Sequence, residues 1–141
     1  MERRSLRFGG FAAAGVIAIS LALTGCSSPT PEENVSQACT EAEALATAVE
    51  DFRTALTAES TVEEVRSARD AVVDAYETLM AEAQDVAQDR MDDLEASVME
   101  FRSAVDDVPE DTALPDAVED LRSEASDVGS SLDDLESDLT C

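Results

Sequence analysis

The stretch LPDAVEDLRSEASDVGSSLDDLESDL, residues 114–139, separates Leu114, Val118, Leu121, Ala125, Val128, Leu132, Leu135 and Leu139 by alternating steps of four and three. That spacing gathers the apolar side chains on one stripe of an α-helix and leaves serines and carboxylates on the rest of its surface. Held for about seven turns, it predicts a helix that packs against other helices along its whole length. Asp111 or Thr112 is the expected N-cap, with Pro115 in the first turn. Gly129 lies off the stripe and costs about 1 kcal/mol of helix propensity.

The same pattern recurs upstream. Val35, Ala38, Ala42, Leu45, Val49, Phe52 and Leu56 form a second stripe, introduced by Thr30-Pro31-Glu32-Glu33, a capping box with proline in the first turn. A further helix begins at Ser60 or Thr61, each followed three residues later by a glutamate (Glu63, Glu64), and meets no Gly or Pro until Pro109. Read as one helix it would run roughly 70 Å. Its stripe changes phase, however. Val65, Val72, Tyr76, Leu79, Ala83 and Val86 make one series. Ala87, Met91, Leu94, Val98, Phe101, Val105 and Val108 make another, displaced by one residue, which is about 100° of rotation. Either a continuous helix meets different partners at its two ends, or the helix breaks near residues 81–89.

From Val35 onward there are one Gly and two Pro, and no run of alternating β-branched residues, so a sheet is excluded. The predicted fold is all-α, an antiparallel three- or four-helix bundle with short connections.

The N-terminus carries a different message. Arg3, Arg4 and Arg7 precede an apolar run from Phe8 to Leu23, which ends in Leu23-Thr24-Gly25-Cys26. A charged segment, an apolar segment too short to span a bilayer securely and a small-residue cleavage site describe an export signal. The final four residues resemble the lipobox of bacterial lipoproteins. That resemblance implies that Cys26 accepts a diacylglyceryl group and becomes the first residue of the mature chain, on the outer face of the cell membrane. Two acyl chains give a stable attachment where one is marginal. Arg3-Arg4-Ser5-Leu6 is also partly similar to a twin-arginine signal, but Leu6 and Arg7 depart from it, which favours the general secretory route. The expected organisation is a signal peptide at 1–25, a lipid-anchored tether at 26–31 and a helical bundle domain at 32–141. Acidic, lysine-free and helical, the chain resembles the small acidic helical lipoproteins of actinobacteria.

Register brings the other two cysteines together. Counting back from the turn near residue 58 sets Cys39 beside Leu79, and counting from the turn near residue 111 sets Leu139 beside Ala83. Cys39 and Cys141 therefore reach the same level of the bundle. With Cys26 taken by lipid in an oxidising compartment, a Cys39–Cys141 disulfide is expected. Closing a loop of about a hundred residues is worth about 4.7 kcal/mol in chain entropy.

Charge and composition exclude several functions. The chain holds 33 Asp and Glu against 9 basic residues, all arginine, with neither His nor Trp, for a net charge of −24. Removal of residues 1–25 takes away Glu2, Arg3, Arg4 and Arg7, leaving about −26 on 116 residues. Nucleic acid is not a partner for such a surface. Without His there is no catalytic triad and no His–metal site, and Ser60, Ser97 and Ser103 have neither His nor Lys to activate them. Asp92-Asp93, Asp106-Asp107 and Asp133-Asp134 fall between stripe positions and belong to solvated faces. The turn at 106–111 lacks the glycine and ligand spacing of a calcium loop. Phe52, Tyr76 and Phe101 lie on stripes and are read as core. The arginines at 53, 66, 69, 90, 102 and 122 are dispersed, so local ion pairs such as Glu50 or Asp51 with a neighbouring Arg are expected rather than an anion site.

No enzyme, cofactor or metal site is predicted. The function expected is that of a membrane-anchored, non-catalytic interaction or structural module of the cell envelope, binding an envelope protein through a helix face or acidic patch. The alternatives are a lipoprotein that binds a small ligand or cation between its helices, and a subunit that oligomerises through its last helix. A monomer is the expected state.

Overall fold

The computed structural model describes residues 30–83, 86–110 and 114–141. The predicted signal peptide, Cys26 and the tether as far as Pro29 lie outside the described residues, as do Asp111 and Thr112. Among the described residues there are four α-helices: α1 Pro31–Ala55, α2 Val62–Ala83, α3 Gln88–Asp106 and α4 Val118–Leu139. Each packs against its neighbours in cyclic order, α1 on α2, α2 on α3, α3 on α4 and α4 back on α1. This is an antiparallel four-helix bundle.

Local chemistry explains where the helices begin. Thr30 and Glu33 make the reciprocal capping box, with the Glu33 N–H donating to Thr30 Oγ1 at 3.2 Å and the Thr30 N–H to Glu33 Oε2 at 2.8 Å. Pro31 is the first helical residue, where its missing N–H leaves no bond unmade. Of the two candidates for the second start, Thr61 is the cap, trading bonds of 2.8 and 3.2 Å with Glu64. Ser60 instead turns back to close the preceding helix, donating to the Ala55 carbonyl at 2.5 Å.

The middle segment is two helices, not one. Of the two readings left open, the break near residues 81–89 is the one observed: α2 stops at Ala83 and α3 resumes at Gln88. No Gly or Pro marks this point, and Ala87 caps α3 without any side-chain bond. The phase shift between the two apolar series is the cause, because an unbroken helix would turn one series about 100° away from the core that both bury. The start of the last helix also differs from the expectation. Pro115 sits in a 3-10 turn, Leu114–Asp116, and α4 begins only at Val118 after Ala117.

The stripes converge on a single core of Ala, Val, Leu, Met and Phe, with no buried polar or charged residue among the described ones. Phe52 and Phe101 meet within it near the ends of α1 and α3. Small side chains on α1, Ala38 and Ala42, are fully enclosed and let the neighbouring helices approach closely. Val35, Tyr76, Val86, Ala87 and Val118, at the ends and margins of the stripes, are only partly buried against this core.

Candidate functional site

An up-down-up-down order gives the bundle two unlike ends. One gathers the start of α1, the α2–α3 turn and the end of α4. The other gathers the α1–α2 and α3–α4 connections.

At the first end, Cys39 in the third turn of α1 is joined to Cys141, just past α4, with Cα atoms 5.7 Å apart. Thr140 between α4 and Cys141 adopts the left-handed conformation, φ 60° and ψ 37°. This lets the Thr140 N–H reach the Ser137 carbonyl at 3.3 Å and the Cys141 N–H reach Glu136 at 3.1 Å, the pairing of a Schellman cap. Glycine is the usual residue at such a position; here a β-branched one occupies it. Beside the cap, Arg90 Nε on α3 donates to Asp138 Oδ2 on α4 at 2.6 Å.

Around these groups the charge is negative. Glu136 is half-buried, and its carboxyl is pushed above the usual range by burial, then by Asp133 one turn away and by Glu43 across the α1–α4 seam. Glu33 and Glu64, by contrast, are held below it by the cap N–H bonds and hydroxyls of Thr30 and Thr61.

The arginines correct the expectation of purely local pairing. Glu50 and Arg53 do pair within α1 at 3.5 Å. Yet five of the six arginines among the described residues cross between elements. Arg53 donates to the Ala125 carbonyl of α4 at 3.0 Å, and Arg122 returns from α4 to the Leu56 carbonyl at 2.7 Å. Arg66 of α2 donates to the Val108 carbonyl and to Glu110, both at 3.3 Å. Arg69 bonds Asp106 of α3, which Arg102 also approaches at 3.9 Å. Leu56 and Val108 follow the last turns of α1 and α3, whose carbonyls have no intrahelical donor. A guanidinium from the adjacent helix supplies it. Sequence spacing showed these side chains dispersed along the chain but not that folding would bring them to the bare ends of neighbouring helices.

Arg69 is almost enclosed, with 11% of its side chain exposed. Its Nε lies 2.8 Å from Asp70 Oδ1, but the N–H is not directed at that oxygen and makes no hydrogen bond. Tyr76 Oη is likewise buried without a partner. Burial, then Glu95 and Asp92 on α3, raise its pKa from 10.0 to about 12.

Gly129 has a role that sequence reading missed. A Cβ on it would stand 3.2 Å from Arg53 Nη2, so its bare surface admits the guanidinium to the Ala125 carbonyl. The signal available was a lone glycine four residues after Ala125, the position whose N–H shares that carbonyl.

Chemically, this arrangement binds its own helices together. Among the described residues, no three cysteine or acidic side chains cluster closely enough to hold a metal ion, and no helix is long and apolar enough to cross a membrane. Asp92, Asp93, Asp107, Asp133 and Asp134 are exposed, while Asp106 is engaged by arginines. Ser97 meets Ser131 at 2.7 Å across α3 and α4 and is so occupied. An open groove of about 620 Å³ runs between α1 and α2, lined by Ala44, Ala48, Ala68 and Ala71 with Asp51 and Glu64 beside them. Comparison with protein-family models, curated proteins and solved structures finds no match.

Proposed function

We propose that this chain is a lipid-anchored extracytoplasmic lipoprotein whose helical domain is a rigid, non-catalytic interaction module of the cell envelope. The observation that carries the reading is Leu23-Thr24-Gly25-Cys26 placed behind an apolar run and three arginines. The pairing of Cys39 with Cys141 supports it, because it leaves Cys26, alone of three cysteines, for acylation.

Thr30, the cap, stands four residues beyond Cys26, a reach of roughly 14 Å when extended. The capped start of α1 would then hold the disulfide end toward the bilayer and present the α1–α2 and α3–α4 connections outward. A domain with an apolar interior and an acidic exterior suits recognition of a basic protein surface, since opposite potentials steer and orient encounter.

Expression of the full chain in a lipoprotein-processing bacterium, followed by intact-mass analysis, tests the anchor. A product beginning at diacylglyceryl-Cys26 is expected, and Cys26→Ser should abolish both lipid and cleavage. A cleaved product with an unmodified Cys26 overturns the reading. Capture from membranes on the lipidated chain tests the module: a basic envelope protein released by high salt is expected, and capture that is indifferent to salt overturns the acidic-face version.

A further inference from the structure

We propose that the Cys39–Cys141 disulfide is a redox-operated latch, whose reduction by a dithiol frees the last turn of α4 from α1 while the remainder of the bundle stays folded.

The last turn of α4 is poorly held by everything except this bond. Thr140 is the one non-glycine with positive φ among the described residues, a conformation that a β-branched side chain resists. No basic residue lies in that turn, yet Glu136 and Asp138 do, where the helix dipole already concentrates negative charge. Glu136 also faces Glu43 of α1 across the seam and Asp133 on its own helix. On the other flank, Arg90 of α3 engages Asp138, but 40% of the Arg90 side chain is exposed and such pairs hold weakly. Leu135 and Leu139 supply the remaining grip.

The opposite end is secured independently. Arg53 and Arg122 tie α1 to α4, Arg66 and Arg69 tie α2 to the end of α3, and the Phe52–Phe101 contact joins α1 to α3 at the same end. Release should therefore stop short of the middle of the bundle.

Access favours attack at one sulfur. Cys141 is exposed and Cys39 half-buried. A thiolate of the dithiol adds to Cys141 Sγ and displaces Cys39 as thiolate, which takes a proton from water. The second thiol of the reductant then displaces Cys141, and the products are two cysteine thiols and an oxidised reductant. Opening bares Leu139 and uncovers the edge of Leu135, so apolar surface is added at this end in the reduced form.

Hydrogen exchange on the full chain in detergent, before and after dithiothreitol, tests the latch. After reduction, amides of residues 136–141 should exchange within seconds, while those of 91–105 stay protected at least a hundredfold longer. Glu136→Gln combined with Thr140→Gly should restore protection of residues 136–139 in the reduced protein. Unchanged exchange at 136–141 overturns the proposal. So does loss of protection at 91–105 together with the tail, which would make the bond a staple for the whole fold, and so does failure of the double variant to restore protection.

Discussion

Phe52 on α1 and Phe101 on α3 meet edge to face, ring centroids 4.6 Å apart and planes at 81°, and so join the two helices that stand diagonally across the bundle. Among the described residues no other pair of rings shares this core, whose buried residues are otherwise Ala, Val, Leu and Met. Both rings are essentially without solvent exposure. Replacing either with alanine should cost about 3–5 kcal/mol. The double variant should cost less than the two single losses together, with a coupling of about 0.5–1.5 kcal/mol. Urea denaturation with the disulfide intact measures all three, and strict additivity would show that the edge-to-face contact contributes nothing of its own.

Tyr76 carries a hydroxyl that the fold encloses but does not satisfy. Tyr76→Phe should therefore raise stability, by about 1 kcal/mol, because an unpaired buried polar group is removed at little loss of shape. Its raised pKa has a definite sign: the folded state holds the phenol proton more tightly than the unfolded one. Stability should fall as pH rises from 10.0 toward about 12 in the wild type, and less so in the Phe variant. Thermal unfolding across that range compares the two.

Two glutamates should respond to acid in opposite directions. Glu136 has a raised pKa, so its ionisation opposes folding; Glu136→Gln should stabilise at pH 7, and the gain should vanish as pH falls below the ordinary value of 4.5. Glu64 has a lowered pKa, so its contribution is present above 4.5 and lost as pH falls through its folded value. Thr61→Ala, which removes that cap, should cost about 1 kcal/mol at pH 7 and less in acid. Chemical denaturation at pH 3 and pH 7 separates the two behaviours.

Gly129 and Arg53 should be energetically coupled. In the wild type, Gly129→Ala gains about 1 kcal/mol of helix propensity but crowds the guanidinium on Ala125, so the net change should be small. In an Arg53→Ala background the same substitution should show the full gain. A double-mutant cycle by urea denaturation reads the difference, and equal effects in both backgrounds would rule out the steric account.

The stripes carried most of the fold in plain view. Most stripe residues from Val35 to Leu139 became the core, the exceptions being Val35, Tyr76, Val86, Ala87 and Val118 at its margins, and the level arithmetic that placed Cys39 beside Cys141 is matched by a bond between them. The break between α2 and α3 was harder to read, because no Gly or Pro stands there; only the one-residue slip between Val86 and Ala87 recorded it. The arginine bridges were not legible at all. A guanidinium reaching an unpaired carbonyl at another helix's end depends on side-chain reach in three dimensions, which periodicity does not encode. Tyr76 shows the same limit, since its stripe position told of burial but not of an unanswered hydroxyl.

The bond between Cys39 and Cys141 also decides how the domain bears mechanical load. A pull applied between the chain ahead of residue 39 and Cys141 travels through the two sulfurs, and the intervening helices lie outside the path of force. Stretched in this way, the oxidised protein would transmit tension as a short inextensible link. Once reduced, it would pay out the looped segment, with a sequence separation of 102 residues, adding roughly 340 Å of extended length.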